Sequence, residues 1–321
     1  MQLSETKSNS GTNSDSREQT QFLQDVLESL SKSNKELPSK YFYDTRGCEI
    51  YDEIKWLDEY YLPKTEYGIL NSILEEIQEI LPTIRRVIEY GGGSGLRTEA
   101  LVLQLKSLQE YLPIDVASEQ LISTAASIKN IRPDLKVTGL LGDFASLPAL
   151  PECDPTERLG FLPGSTIGNF RFDIAKDFLA RIRPQMGEGS HLLIGYDLVK
   201  DVDVLLAAYD DPKGVTARFN LNLLNRINRE LNANFDLRFF KHEARFNNEK
   251  SRIEMHLVST CKQTVNISGT EIKFSQGESI HTENSHKYSS EQFTRLLEGT
   301  GWQEQKTWMD EKGYYAVALL A

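Results

Sequence analysis

A glycine-rich turn is the part of the sequence whose residue types point most directly to chemistry. The apolar run that starts at Val87 ends in the acidic Glu89, and two residues later the chain enters the run Gly91–Gly95, of sequence Gly-Gly-Gly-Ser-Gly. Glycines permit a sharp bend and close approach of a ligand, and the helix-forming segment 96–105 directs its N-terminus at the same turn. The pattern predicts a strand, a ligand-binding turn and a helix, although plain connections in α/β domains also have such turns.

The spacing of these glycines distinguishes between nucleotide ligands. After Gly91 and Gly93, the third position of the dinucleotide fingerprint G-x-G-x-x-G is occupied by Leu96. A pyrophosphate therefore lacks its usual binding position. An adenosyl sulfonium carries no phosphate, so the turn favours that kind of ligand over a nicotinamide dinucleotide.

Two further predicted strands also end in carboxylates. The strand 111–115 ends at Asp115, where a doubly wound sheet places an acid on ribose hydroxyls. The strand 137–141 leads to Asp143 and Phe144, an acid and a ring that could hold the edge and face of an adenine. Together with Glu89, these acids predict a cofactor crevice at the carboxyl edge of one sheet. The alternative is three unrelated surface acids.

The composition of the 321-residue chain restricts its partners and its compartment. A formal net charge of -11 at pH 7, without a stripe of Lys and Arg, argues against nucleic acid and anionic membranes as partners. The cysteines Cys48, Cys153 and Cys261 lack disulfide and metal-ligand spacing and indicate a reducing compartment. We expect a cytoplasmic, monomeric protein without a metal. The polar segment 1–19 has no apolar signal-peptide core and is expected to be a disordered tail.

Alternating strands and helices surround the glycine turn. Apolar residues recur at helical spacing from Ile69 to Ile80 before Pro82, and again over 174–182, a helix that Pro184 is expected to close. The order of the elements predicts a parallel, doubly wound α/β sheet. The strands predicted for it cover 87–90, 111–115, 137–141, 159–162 and 191–198.

The pattern changes from Asp201 onward. Helices around Leu205 and over 219–231 precede strands with period-two alternation, which is typical of antiparallel pairing. The last two predicted strands, 302–308 and 314–320, are expected to form a hairpin that joins the parallel sheet as an antiparallel edge. The sequence thus predicts a sheet domain interrupted by a β-rich insertion.

Tyrosines and one amide lie where a small polar substrate could bind. The run Gly164–Phe170 follows the fourth predicted strand and therefore lies at the same carboxyl edge as the cofactor crevice. Its glycines expose backbone carbonyls, and the Asn169 amide can both donate and accept hydrogen bonds. Turn formation is the alternative role of Asn169, and half-buried packing is the alternative role of the tyrosines. The tyrosines before the first strand are Tyr41, Tyr43, Tyr51, Tyr60 and Tyr61.

Six short motifs follow one another in order along the chain. They are Lys-Tyr-Phe-Tyr at 40–43, Glu-Tyr-Tyr at 59–61 before Thr-Glu at 65–66, Gly-Ser-Thr-Ile-Gly-Asn at 164–169, Ala-Tyr-Asp-Asp at 208–211, Arg-Ile-Glu-Met at 252–255 and Thr-Glu-Asn-Ser at 282–285. From about Leu37 to the C-terminus, this ordered set resembles the histidine Nα-methyltransferases of ergothioneine biosynthesis. The order of the set is far more specific than any one motif.

The resemblance implies a fold, a reaction and a set of contacts. The implied fold is a Rossmann-like class I S-adenosylmethionine-dependent methyltransferase sheet with an interleaved α+β substrate-binding domain. The implied reaction transfers three methyl groups from S-adenosylmethionine to the α-amino group of L-histidine and yields hercynine. The implied cofactor contacts are Gly91, Arg97, Asp115, Asp143 and Phe144. The implied substrate contacts are Tyr60, Gly164, Asn169, Tyr209, Met255, Glu283 and Ser285, with Tyr43 and Asn169 acting at the amine and Glu283 and Ser285 holding the imidazole.

The same resemblance divides the chain into domains. The substrate-binding domain is expected at 20–61 and 200–286, and the methyltransferase domain at 62–199 and 287–321. The chain departs from the family pattern in Tyr-Gly-Gly at 90–92 instead of Leu-Gly-Ser, in Arg97 instead of lysine, and in His256, where a tryptophan can occur. These departures bear on the cofactor contact of Arg97 and on the wall of the substrate pocket.

Other functions remain open from the residues alone. A related methyltransferase could act on another amino acid, such as tryptophan, and Glu283 without the resemblance is an ordinary solvated strand acid. A different class would be a nicotinamide-dependent oxidoreductase or a non-catalytic nucleotide-binding module. The missing fingerprint glycine at Leu96 disfavours the oxidoreductase. A binding module would not need the tyrosine, amide and Glu-x-Ser elements together.

Overall fold

The computed structural model describes residues 11–91, 95–143 and 146–321. The chain forms two compact units. The first unit comprises Met1–Leu57, Tyr209–Arg245 and Glu254–Glu283, and the second comprises Asp58–Ala208, Phe246–Ile253 and Asn284–Ala321. Within the described ranges, no helix has the length and apolar character needed to cross a bilayer.

Helices and strands follow one another along most of the chain. The helices are α1 (Gly11–Ser31), α2 (Thr45–Ile54), α3 (Leu62–Ile80), α4 (Leu96–Gln104), α5 (Ser118–Ile131), α6 (Phe172–Met186), α7 (Val202–Tyr209), α8 (Val215–Glu230) and α9 (Ser290–Leu297), with short 3₁₀ turns at Ser39–Phe42, Pro155–Glu157, Thr166–Asn169 and Leu237–Phe239. The strands are β1 (Arg86–Tyr90), β2 (Glu110–Asp115), β3 (Lys136–Val137), β4 (Leu140–Leu141), β5 (Arg158–Leu162), β6 (His191–Asp197), β7 (Phe240–Asn247), β8 (Arg252–Ser259), β9 (Gln263–Ile267), β10 (Thr270–Phe274), β11 (Ser279–His286), β12 (Glu304–Met309) and β13 (Tyr315–Leu320).

The second unit contains the larger sheet, of strand order β12-β13-β6-β5-β1-β2-β3, with β4 also paired to β2. Strands β6, β5, β1, β2, β3 and β4 pair in parallel, whereas β13 pairs antiparallel with both β6 and β12. The predicted doubly wound parallel sheet and its antiparallel terminal hairpin are therefore confirmed.

Burial on both faces explains the sequence of the central strands. A parallel sheet covered by helices on both sides requires nearly continuous apolar strands, and β5 and β13 are buried along their whole length. On one face, Phe178 and Met186 of α6 are fully buried, and the ring of Phe178 meets that of Tyr90 edge to face at 5.6 Å between centroids. This core holds the carboxyl ends of the strands in fixed relative positions.

Two predicted element boundaries in the second unit are wrong. The strand expected over 137–141 is split into β3 and β4, because Gly139 interrupts it and glycine weakens the interior of a strand. Helix α6 continues past Pro184 to Met186. Proline removes one helical hydrogen bond, but Met186 packs into the core, and the Gly187 N–H donates to Arg183 O at 3.0 Å to end the helix.

The first unit combines helices with short sheets. Strands β9 and β10 pair antiparallel, as the alternation predicts, and β11, β8 and β7 pair in that order. Helix α1 begins at Gly11, so residues 11–19, expected in a disordered tail, belong to a helix. Helix α1 buries Phe22, Val26 and Leu30 at helical spacing. Residues 1–10 lie outside the described residues.

Candidate functional site

The ends of β1 and β2 carry two of the predicted cofactor residues side by side. Gly91 follows β1 with a φ of +85°, a conformation that favours glycine, and its N–H donates to Ile114 O at 3.0 Å. Asp115, the half-buried last residue of β2, accepts a hydrogen bond from the Ala117 N–H at 2.9 Å. The sheet pairing thus brings the turn and this carboxylate to one edge.

Asp143 lies at the same edge, after β4. Strand β4 pairs with the end of β2, and the N–H of Gly142 donates to the carbonyl of Asp115 at 3.1 Å. The Asp143 carboxylate is half-buried and accepts a hydrogen bond from the Ser146 N–H at 2.6 Å. Two carboxylates on adjacent strand ends suit ribose hydroxyls and an adenine edge. Phe144 and residues 92–94 lie outside the described residues.

The third strand-end acid, Glu89, is buried inside the protein. It is only 1% exposed and accepts hydrogen bonds from Tyr111 Oη at 2.5 Å and from Thr98 Oγ1 at 3.0 Å. Burial raises the pKa of Glu89 to about 8, although the hydrogen bonds from Tyr111 and Thr98 favour the charged form. Through its contacts with Thr98 and Tyr111, Glu89 therefore connects β1, α4 and β2 instead of offering both carboxylate oxygens to a ligand.

The buried acid predicts a pH dependence of stability. The pKa of Glu89 is higher in the folded protein than in the unfolded chain. The contribution of Glu89 to the free energy of unfolding is therefore fully present below about pH 4.5 and is lost as the pH rises through about 8. Between pH 5 and pH 8, we expect the free energy of unfolding to fall by about 3 kcal/mol less in Glu89→Gln than in the wild type. Urea unfolding of both proteins across this range tests it, and parallel pH profiles would contradict it.

Arg97 and Gly164, predicted to contact the cofactor and the substrate respectively, meet at one buried carboxylate. Glu66 of α3 is fully buried and pairs with Arg97 Nη1 at 2.5 Å. The same carboxylate accepts the Gly164 N–H, at 2.9 Å to Oε2 and 3.0 Å to Oε1. Gly195 leaves room for it, because a Cβ at that position would lie 1.9 Å from Glu66 Oε1. Glu66 thus connects the turn after β5, through Gly164, to helix α4, through Arg97.

Asn169 ends a short 3₁₀ turn whose start is anchored to β6. Ser165 adopts a φ of +55°, and its Oγ accepts the N–H of Asp197 at 3.1 Å. Gly168 packs against the backbone of β11, since a Cβ there would lie 2.9 Å from His286 O. Asn169 itself is half-buried. These contacts fix the backbone that carries its amide.

Asp197 is the centre of a buried charge network in the second unit. Its carboxylate is fully buried and accepts hydrogen bonds from Tyr61 Oη and Lys200 Nζ, both at 2.7 Å, and pairs with Lys287 Nζ at 2.8 Å. Burial lowers the pKa of Lys200 to about 8, although the attraction of Asp197 opposes the shift and Lys287 adds to it. One carboxylate therefore balances two buried lysines.

The network extends to Ser285, a predicted substrate contact. Lys287 Nζ donates to Ser285 Oγ at 2.8 Å, and both side chains are buried. An ammonium group can only donate, so the hydroxyl oxygen is the acceptor in this contact. Tyr60, also predicted to contact substrate, is 8% exposed in the same unit.

The first unit holds the remaining predicted substrate residues. Tyr43 is half-buried after the 3₁₀ turn Ser39–Phe42, and its ring lies edge-on to that of Phe219 at 6.0 Å. Tyr209 ends α7, is 6% exposed, and its carbonyl lies 2.8 Å from His242 Nε2. Each ring is thus held by packing rather than free in solvent.

Met255 and Glu283 lie on the paired strands β8 and β11. Met255 is 2% exposed, and its carbonyl accepts a hydrogen bond from Thr282 Oγ1 at 3.1 Å. Glu283 is half-buried, and its carbonyl lies 3.0 Å from His281 Nε2. The pairing of β8 with β11 holds Met255 and Glu283 on adjacent strands.

The sequence patterns did not single out Glu66, Asp197 or Lys287. Asp197 ends the fifth parallel strand, so the strand-end rule that selected Asp115 would also have found it. Glu66 lies in a recognised motif but on a helix, and Lys287 lies two residues beyond the Thr-Glu-Asn-Ser motif of β11. Their roles depend on contacts between residues far apart in sequence.

The sheet and its edge define a class of protein. The strand order, the glycine turn without a third fingerprint glycine and the half-buried acids after β2 and β4 are those of a Rossmann-like S-adenosylmethionine-dependent methyltransferase. The residues at this edge fit that cofactor, since Gly91 leaves space beside the backbone and Asp115 and Asp143 supply acceptors for hydroxyl and amino groups.

Comparison with known proteins identifies the family within this class of methyltransferases. The family described as histidine-specific methyltransferase, SAM-dependent, matches residues 22–321. Histidine N-alpha-methyltransferase of Mycobacterium tuberculosis is 37% identical over 303 residues, which cover 92% of this chain and 94% of that protein. Its counterpart in Mycolicibacterium smegmatis is 36% identical over 92% of this chain and 93% of that protein. The L-tryptophan methyltransferase of Psilocybe serbica is 25% identical over 92% of this chain and 91% of that protein. The chain belongs to the S-adenosylmethionine-dependent histidine-specific methyltransferase family.

Proposed function

We propose that this protein transfers methyl groups from S-adenosylmethionine to the α-amino group of L-histidine, three times in succession, to give hercynine. The observation that carries the histidine assignment is the Glu-x-Ser element of β11, whose Ser285 hydroxyl is held by Lys287. The higher identity to histidine than to tryptophan methyltransferases supports the same substrate.

Hydrogen-bond polarity explains why this element suits an imidazole. Lys287 donates to Ser285 Oγ, so the hydroxyl hydrogen of Ser285 is directed to an acceptor, such as the unprotonated ring nitrogen. The Glu283 carboxylate accepts from the ring N–H. A neutral imidazole offers one acceptor and one donor, whereas an indole offers only a donor. Tryptophan would offer the Ser285 hydroxyl no acceptor, which disfavours it.

Positioning of the substrate amine relative to the methyl group accounts for most of the proposed rate acceleration. When bound, S-adenosylmethionine supplies an electrophilic methyl group on a sulfonium centre. The attacking nitrogen must be neutral, and a free α-amino group with a pKa of about 8 is partly neutral near pH 7. Asn169 and Gly164 would orient the amine, Tyr60 and Tyr209 with Asn169 would bind the carboxylate, and Tyr43 would act near the amine through water. Holding the reacting atoms in line supplies the acceleration.

We assign the cofactor to the second unit, with Gly91, Arg97, Asp115, Asp143 and Phe144 as its contacts. We assign Tyr43, Tyr209, Met255 and Glu283 to the substrate. We also propose that the protein acts as a cytoplasmic monomer on a free amino acid, without nucleic acid or membrane partners. The net charge of -11 and three cysteines without disulfide bonds support this setting.

The reaction is tested by mass spectrometry of products after incubation with S-adenosylmethionine and single amino acids. Trimethylated histidine as the product is the expected result. A methylated product from tryptophan, with none from histidine, would retain the fold and cofactor but overturn the proposed substrate. Binding of NADH without binding of S-adenosylmethionine would overturn the methyltransferase assignment.

Replacing Glu283 tests the imidazole contact. We expect Glu283→Ala to raise KM for L-histidine about 10²-fold, because the ring N–H loses its acceptor, and to leave S-adenosylmethionine affinity nearly unchanged. Glu271→Ala, which removes an exposed acid from β10 of the same unit, is the matched control. Steady-state kinetics and calorimetric cofactor titration measure the two effects. Equal losses in both would remove Glu283 from the imidazole pocket.

A further inference from the structure

Two paired strands of the first unit carry a cluster of side chains that can ligate a metal. Glu254 and His256 lie on β8, and His281 lies on β11. One carboxylate oxygen and one ring nitrogen from each histidine all lie within 4.8 Å of one another. Residues two apart on a strand project from the same face, which explains why Glu254 and His256 reach the same point.

The two imidazoles are arranged side by side. Their ring centroids are 5.1 Å apart with an interplanar angle of 24°, and His256 Nε2 lies 3.3 Å from Glu254 Oε2. His256 is 7% exposed, and its Nδ1 is buried without a hydrogen-bond partner among the described residues. Buried polar atoms nearly always have a partner, and a bound water or ion would supply one for this nitrogen.

The charges around the cluster are compatible with a cation. Arg245 is the positive side chain that acts on His256, and it is paired with Glu243 at 2.6 Å between Nη2 and Oε2.

We propose that Glu254, His256 and His281 form a binding site for a divalent transition-metal ion, with Zn²⁺ as the best match. Two imidazoles and one carboxylate are a zinc donor set that leaves a fourth position for water. Zn–N and Zn–O bonds of about 2.0–2.2 Å place tetrahedral ligand atoms roughly 3.5 Å apart, so short side-chain rotations close the cluster around the ion. The expectation of a metal-free chain came from cysteine spacing, which does not address ligands on paired strands.

The site would clamp β8 to β11. His281 also contacts the carbonyl of Glu283 at 3.0 Å through Nε2, so a metal bound to this histidine, through either ring nitrogen, acts on the same stretch of β11. The metal site is independent of the proposed reaction, because its ligands and its test involve neither S-adenosylmethionine nor histidine.

Competition with a chromogenic chelator for Zn²⁺ tests the proposal on the full chain, without amino acids because free histidine binds zinc. We expect one equivalent to bind with micromolar affinity or better. His281→Gln and Glu254→Gln should each weaken it by about tenfold or more. His191→Gln is the matched control, because His191 also has a buried Nδ1 without a hydrogen-bond partner among the described residues but lies outside the cluster.

A second measurement distinguishes the loss of a metal ligand from unfolding of the variant. Each variant without metal should melt at nearly the wild-type temperature, and Zn²⁺ should raise the melting temperature of the wild type and of His191→Gln only. Co²⁺ should give the visible absorption of a four-coordinate site in the same two proteins. Absence of stoichiometric binding to the wild type, or equal affinity in His281→Gln and Glu254→Gln, would overturn the proposal.

Discussion

Replacing Asn169 with alanine is expected to lower kcat/KM for L-histidine about 10²-fold, because the amide that orients the amine and carboxylate is removed. The backbone around it is anchored by Ser165 to β6 and by Gly168 against β11. The loss should therefore come from the missing amide and not from a collapsed turn. Each of the three transfers should slow, since each requires the same nitrogen in line with the methyl group.

Single-turnover assays with histidine and its mono- and dimethylated forms measure the three steps separately. Calorimetry should show S-adenosylmethionine affinity within a factor of about two of wild type, since positioning of the amine is separate from cofactor binding. Asn130→Ala, at an exposed position of α5, is the matched control and should behave as the wild type. Unchanged turnover in Asn169→Ala would remove this residue from the site.

The architecture of the second unit was largely predictable from its sequence. Buried parallel strands have continuous apolar runs, and the runs ending at Tyr90, Asp115 and Leu162 mark strand positions by composition alone. The carboxyl-edge rule then placed Gly91, Asp115 and Asp143 together without any distance information. One error came where a local rule met a tertiary contact, because burial of Met186 favours continuation of α6 past Pro184. The other, the split of the strand over 137–141, follows from Gly139 itself.

The side-chain network of the site was not predictable in the same way. Arg97 matches a family position that implies a cofactor contact, yet its guanidinium pairs with Glu66, which is 31 residues earlier in sequence. Glu89 satisfies the strand-end pattern, yet burial turns it into a partner of Tyr111 and Thr98. Sequence spacing specifies which edge a residue approaches, but hydrogen-bond partners depend on which side chains surround it after folding.

The largest effect on stability is expected from Asp197→Ala. The wild-type carboxylate is fully buried between Lys200 and Lys287, so its removal leaves two buried cations without their counter-charge. Removing one partner from a buried ion pair costs about 3–5 kcal/mol. Urea unfolding should show this loss at pH 7. The loss should shrink as the pH rises toward 10, because a neutral lysine is less costly to bury.

Two further variants distinguish this explanation from a simple packing defect. Asp177→Ala breaks an exposed pair with Arg181 on α6 and should change the free energy of unfolding by at most about 0.5 kcal/mol. Adding Lys287→Met to Asp197→Ala should recover part of the loss, since one uncompensated charge is removed. If the two changes are simply additive and independent of pH, Asp197 contributes packing rather than charge balance. A coupled, pH-dependent loss would instead support charge balance by Asp197, whose partner Lys287 also donates to Ser285, the hydroxyl proposed to recognise the imidazole.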